Sequence, residues 1–147
     1  GWSDESPLPR TSRNIVNELY HLLQAANIKP PYILVGHSLG VVAILKCLEE
    51  NNVHGAVLVS GPIRSTKADL RHLFPESFDF EKIKGGSDNF VVIHGDNDQA
   101  VPYAQGQELA ETLGCKLVTV EGGRHLNGSA GWTELPIVLE EIQKLLD

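Results

Sequence analysis

Two hydrophobic rhythms alternate along this chain. Short, nearly unbroken apolar runs occur at Tyr32–Val35, Ala56–Ser60, Phe90–His94 and Lys116–Val120, and each predicts a β-strand. The run Ala56-Val57-Leu58-Val59-Ser60 is apolar at almost every position, the mark of a parallel strand covered on both faces. Between these runs the apolar residues recur at i, i+3, i+4 and i+7. Ile15, Val16, Leu19, Leu22, Leu23 and Ala26 predict a helix over Arg13–Ala26, with Thr11 or Ser12 as its cap. Further helices are predicted over Val41–Glu50, Tyr103–Leu113 and Thr133–Leu146, the last presenting Leu135, Val138, Leu139, Ile142, Leu145 and Leu146 on one face.

Punctuation is supplied by turn residues. Residues 1–13, rich in Ser, Pro and Arg, read as loop, and Asn27–Pro31 end the first helix. Lys67–Phe74 predicts a short helix, and Pro75–Gly86 reads as irregular, anchored by Phe74, Phe78 and Phe80. Strands alternating with helices imply an α/β fold: a three-layer α/β/α sandwich around a parallel sheet of about four strands, in one domain over 1–147. A chain of 147 residues buries roughly 70% of its unfolded surface, enough for a real core.

Composition narrows the partners. The net charge is −7 with the two signs interspersed, which argues against nucleic acid and anionic membrane. No apolar run approaches the roughly 20 residues of a membrane span, and no signal peptide is visible. Cys47 and Cys115 are isolated within apolar patterns, which predicts buried thiols in a reducing, cytoplasmic setting. No Cys/His cluster has zinc spacing, so no metal or organic cofactor is expected. The chain starts Gly1-Trp2-Ser3 and has no methionine, as expected if a start residue is missing or if this is a piece of something longer.

The candidate chemistry starts at Gly36-His37-Ser38-Leu39-Gly40, which fits Gly-x-Ser-x-Gly between a predicted strand and a predicted helix. Such a turn lifts the Ser38 hydroxyl above the sheet edge, and glycines at 36 and 40 are expected to let strand and helix approach closely. The helix start favours negative charge, making the Leu39 amide a first oxyanion donor. A serine hydroxyl needs an adjacent base, and the base an orienting acid. His125 follows the last strand in a Gly-rich loop and is the candidate base. Asp98, further past the third strand than Asp96, is the candidate acid. In a parallel sheet all three fall just past carboxyl ends of strands, where sites collect. His37 and His94 are expected to shape the site locally, and His21, His54 and His72 to lie on the surface. His37, Phe74, Phe78 and Leu126 are candidate substrate contacts, with Phe80 beside them.

The order Ser38, Asp98, His125 resembles that of the α/β-hydrolase superfamily. The run from Gly1-Trp2-Ser3 through Pro31-Tyr32-Ile33-Leu34-Val35-Gly36-His37-Ser38 is similar to esterase-type hydrolases. Val57–Ser60, His94-Gly95-Asp96-Asn97-Asp98-Gln99-Ala100-Val101-Pro102 and Gly123-Arg124-His125-Leu126-Asn127 are more similar to small serine hydrolases of the retinoblastoma-binding-protein type. The two resemblances meet near Ser38, as in a chimera, natural or engineered. The resemblance implies a serine esterase acting on small carboxylic esters through an acyl-enzyme. The alternatives are a weak or idle scaffold and a protein-binding module using the same pocket. Family members carry several strands before the one leading to the serine, and a loop there supplies the second oxyanion N–H. Only 35 residues precede Gly36. A shortened, minimal member is therefore expected, with Tyr32–Val35 as an exposed sheet edge that a homodimer or domain-swapped assembly would cover.

Overall fold

The computed structural model describes residues 12–65 and 67–147. Its elements are α1 (Ser12–Ala25), β1 (Ile33–His37), α2 (Leu39–Leu48), β2 (Gly55–Val59), a 3-10 turn (Ala68–Leu73), α3 (Phe80–Gly85), β3 (Phe90–Gly95), α4 (Tyr103–Leu113), β4 (Lys116–Val120), a second 3-10 turn (Gly128–Ala130) and α5 (Pro136–Leu146). The four strands form one parallel sheet in the order β1-β2-β3-β4. Every carboxyl end therefore lies along the same edge.

The pleat divides the strands between two apolar layers. On one face Ala56 and Leu58 of β2 and Val92 of β3 pack with Val41, Ile44, Leu45 and Leu48 of α2, Ile83 of α3, and Leu109, Ala110 and Leu113 of α4. On the other, Val57, Val59, Val91 and Ile93 pack with Leu126 and with Val138, Ile142 and Leu145 of α5. Every residue of β2 is buried, as its unbroken apolar run requires. α1 lies against α2. The three-layer sandwich is thus built as expected, with β1 at one edge of the sheet and Val35 48% exposed there.

Several boundaries move for identifiable reasons. β1 continues through Gly36 and His37, because His37 pairs with Val59 and the Ser38 N–H reaches the Val59 carbonyl at 2.9 Å. Residues 80–85, expected to be irregular, form α3. Asp79 caps it by accepting the Lys82 N–H, and Ile83 is wholly buried beneath it. α5 starts at Pro136 instead of Thr133, since the residue before a proline avoids helical geometry and proline suits the first helical position. On its predicted apolar face Leu139 and Leu146 stay exposed, as does Leu22 of α1. Glu141 takes the buried side of α5, where Lys116 and Lys144 reach its Oε1 at 3.1 and 3.0 Å. Burial alone would raise the Glu141 carboxyl, but the hydrogen bonds from Lys144 and Lys116 outweigh it and hold the group below its ordinary range. The cap expected at Thr11 and the loop over the first residues lie outside the described residues; Ser12 opens α1.

Cys47 is buried and Cys115 half-buried, and no disulfide joins them. Desolvation pushes the Cys115 thiol up to about 11. Among the described residues no helix is long and apolar enough to cross a membrane.

The tightest packing that bears on the site is at Gly95. A Cβ there would lie 2.2 Å from the Arg124 carbonyl oxygen, which is backbone and cannot swing aside. Gly95→Ala is expected to lower stability by about 1–3 kcal/mol and to push the segment carrying His125 off the sheet. Urea unfolding monitored by circular dichroism measures the first effect.

Candidate active site

Ser38 sits between β1 and α2 with φ 55° and ψ −120°, a conformation that non-glycine residues rarely adopt. The turn holds because the Ser38 N–H bonds Val59 and its carbonyl accepts from the Val41 N–H at 3.0 Å. Gly36 is needed for the close approach: a Cβ there would meet Ile44 at 2.7 Å and the Gly40 backbone at 2.8 Å. Gly40 is not needed for its own side-chain space, since a Cβ on it would meet nothing within 4 Å. The glycine pair expected from the sequence therefore reduces to one steric requirement at position 36.

Three consecutive residues after β3 brace the segment after β4. Asp96 Oδ1 accepts the Gly122 N–H at 2.8 Å, and Asn97 Oδ1 accepts the Arg124 N–H at 2.7 Å. Asp98 Oδ2 lies 2.8 Å from His125 Nδ1. The other Asp98 oxygen accepts the N–H groups of Ala100 and Val101 at 2.8 and 2.9 Å. A carboxylate can only accept, so His125 carries its proton on Nδ1. That leaves the Nε2 lone pair for Ser38 Oγ, 3.1 Å away. The Asp98 side chain is fully buried and that of His125 is 16% exposed. Arg124 and Leu126, on either side of His125, have φ 54° and 50°. The Trp132 indole N–H donates to the Gly123 carbonyl at 2.9 Å and secures the same bend.

Ser38 and His125 open into a cavity of about 210 Å³ also lined by Leu39, Pro62, Leu70, Phe74 and Val101. Arg64 and Lys67 stand in its wall. Buried Gln105 shapes that wall by accepting the N–H groups of Ile63 and Arg64 at 2.8 and 3.2 Å. No sequence signal singled Gln105 out, because nothing in a helical repeat distinguishes it from a surface glutamine. Arg64 is already held by Glu108 in a two-pronged contact at 2.7 and 2.8 Å.

The remaining candidates divide. Leu39 and Phe74 line the cavity. Phe78 instead lines an adjoining groove with Phe74 and packs beside Phe80, ring centres 5.7 Å apart. Leu126, expected as a substrate contact, does not line the cavity: it is 2% exposed and buried in the apolar layer under α5, with a positive φ just after His125. His37 does not line the cavity either. Its Nε2–H donates to the His125 carbonyl at 2.8 Å, and the two rings lie 4.9 Å apart. His21, His54 and His72 are exposed. His94 is completely buried directly behind Asp98. Among the described residues no three His, Cys, Asp or Glu side chains gather as a metal-ligand set.

With that geometry in view, the family model for serine hydrolases matches residues 11–144. The chain belongs to the serine hydrolase family. The match spans both sides of Ser38. YdeN of Bacillus subtilis (strain 168) is 37% identical over 113 residues, covering 73% of this chain and 60% of YdeN. The crystal structure of that gene product superposes with a TM-score of 0.81 at 32% identity, over 97% of this chain and 78% of that one. Serine hydrolase RBBP9 of Rattus norvegicus is 27% identical over 88 residues, 58% of this chain and 47% of RBBP9. A protein of the alpha/beta hydrolase superfamily from Xanthomonas campestris pv. campestris shares the fold at TM-score 0.61 and 19% identity, over 92% and 68% of the two chains. This serine hydrolase thus spans about half to three-fifths of the length of the curated relatives it matches.

Burial lowers the His94 imidazole below its ordinary value of 6.5, against the opposing pull of the Val101 carbonyl and Asp98. The folded state therefore keeps His94 neutral over a range in which the unfolded chain protonates it. Stability is full above about pH 6.5 and falls as the pH drops from there toward the folded value, with a slope of at most about 1.4 kcal/mol per pH unit from this residue. A His94→Leu variant is expected to show a flatter stability profile below pH 6.5, measured by urea unfolding at a series of pH values.

Proposed function

We propose that this chain is a serine esterase that cleaves small carboxylic esters through an acyl-enzyme on Ser38. The observation that carries the reading is the unbroken sequence of contacts Ser38 Oγ to His125 Nε2 and His125 Nδ1 to Asp98 Oδ2, at 3.1 and 2.8 Å. In the first step the Ser38 oxygen attacks the ester carbonyl while its proton passes to His125 Nε2. The imidazolium so formed is held by Asp98, whose buried carboxylate keeps the ring in the productive tautomer. The carbonyl electrons move onto oxygen. The Leu39 N–H, at the first residue of α2 and without an intrahelical partner, is the donor assigned to that oxyanion. Collapse of the tetrahedral intermediate expels the alcohol, which takes the proton from His125. Water then repeats the cycle on the acyl-enzyme, with His125 as base and then acid, and releases the carboxylic acid.

The cavity supports the choice of small esters. At about 210 Å³ it is smaller than the roughly 300–1,000 Å³ of sites that enclose drug-sized ligands. Its apolar lining at Leu39, Pro62, Leu70, Phe74 and Val101 suits a short acyl chain. The reaction as written calls for no cofactor.

A fluorophosphonate probe is expected to label the wild type on Ser38 and to leave Ser38→Ala unlabelled; absence of labelling, or equal labelling of both, would remove the enzyme reading in favour of an idle scaffold. His125→Ala and Asp98→Asn are expected to lower kcat by about 10³–10⁴, read as p-nitrophenol release. Across p-nitrophenyl esters, kcat/KM is expected to be higher for acetate and butyrate than for octanoate.

A further inference from the structure

Behind the Ser38–His125–Asp98 contacts lies one more ring. His94, near the end of β3, is fully buried, and its Nε2 lies 2.9 Å from the Val101 carbonyl and 3.4 Å from Asp98 Oδ2. Both neighbours are acceptors, so Nε2 carries the proton. The other nitrogen, Nδ1, has no hydrogen-bond partner. It is pressed against α4: a Cβ on Gly106 would lie only 2.6 Å from it. No room remains there for a proton with an acceptor. The two nitrogens are thus unequal by construction, one committed as a donor and one shut off. Tyr103 closes the pocket edge-on, its ring centre 6.0 Å from that of His94.

We infer that His94 is a positioning residue for the proposed catalytic acid: its Nε2–H, donated to the Val101 carbonyl, holds the turn whose Ala100 and Val101 amides fix the orientation in which the Asp98 carboxylate receives His125. The inference rests on the reading of Asp98 and His125 given under Proposed function. Asp98 Oδ1 is already saturated by the amides of Ala100 and Val101. Oδ2 alone faces His125, and rotation about the carboxyl bond would carry it away. His94 Nε2 lies 3.4 Å from the same oxygen without hydrogen-bond alignment and packs against the carboxylate. Through Val101 it also holds the short 98–101 turn against β3, and Val101 is itself a cavity wall. His94 neither reaches the substrate cavity nor gains or loses a proton in the cycle.

The test compares His94→Leu, which keeps bulk but removes the donor, with His94→Gln, whose amide places an N–H near the position of Nε2. With p-nitrophenyl acetate, His94→Leu is expected to lose about tenfold to a hundredfold in kcat while KM stays within about twofold. His94→Gln is expected to recover most of that loss. In nitrogen-15 spectra of the histidine rings, the wild type should show His125 protonated on Nδ1, with that signal exchange-broadened in His94→Leu and restored in His94→Gln. Unchanged kcat and an unchanged His125 signal in folded His94→Leu would overturn the inference. So would a His94→Gln variant as impaired as His94→Leu, since the ring shape and not its donor would then matter. If His94→Leu does not fold, the Gln variant decides alone: near wild-type kcat supports the role, and a loss as deep as that of Asp98→Asn overturns it. If the wild type proves inactive toward esters and the fluorophosphonate probe, the esterase reading fails, and the His125 signal alone still decides the positioning role.

Discussion

A carboxylate taken wholly out of water is the constraint on which the working edge of this protein depends. Burying the Asp98 charge is costly unless every lone pair is met. Two amides two and three residues ahead satisfy Oδ1, the His125 Nδ1–H satisfies Oδ2, and the His94 ring packs behind, its Nε2–H bonded to the Val101 carbonyl. These groups come from three parts of the chain: the turn after β3, the strand itself, and the segment after β4. Meeting the charge therefore ties these parts to one another. The carboxylate also decides the His125 tautomer, and so frees the nitrogen that faces Ser38.

Strain accumulates along the same edge. Among the described residues, Ser38, Ser60, Arg124 and Leu126 are four of the five non-glycine residues with positive φ, and all follow carboxyl ends of strands. Such conformations persist only where the surroundings leave no alternative. Here the alternatives are closed by backbone contacts: the Val59 carbonyl at Ser38, the Ile93 carbonyl at Ser60, and the side chains of Asp96 and Asn97 at the segment after β4. Under them lies a sheet whose interior strand β2 is buried at every position. The stiff apolar layers make the polar edge stiff and support the contacts of 2.8 and 3.1 Å along it.

Much of this was legible from local pattern, and the failures are physical. Tyr103–Leu113 and Lys116–Val120 run as their periodicity predicts, because their apolar residues both favour the element and face the core. α3 escaped notice because six residues are too short for a helical repeat; Asp79 as a cap and Ile83 as a single core anchor make it. Leu126 resembled a pocket residue because it follows His125, but a backbone reversal at that position sends it beneath the sheet. His94 read as one of two histidines shaping the site. Its depth, its two acceptors and its blocked nitrogen depend on α4 and on the turn at Val101, which no window of sequence around it contains.

By itself the sequence determined the kinds of element, their alternation, the parallel sheet and the three residues that meet along its edge, since period, turn chemistry and motif spacing are local properties of the chain. Only the tertiary structure decided which oxygen of Asp98 faces His125, that Asp96 and Asn97 brace the segment after β4, that Gly36 and not Gly40 needs to be bare, and that His94 stands behind Asp98. Those outcomes depend on differences of a few tenths of an ångström in the spacing of segments tens of residues apart. Such distances are set by how two apolar layers close on one sheet, a sum over many contacts that no single stretch of residues carries.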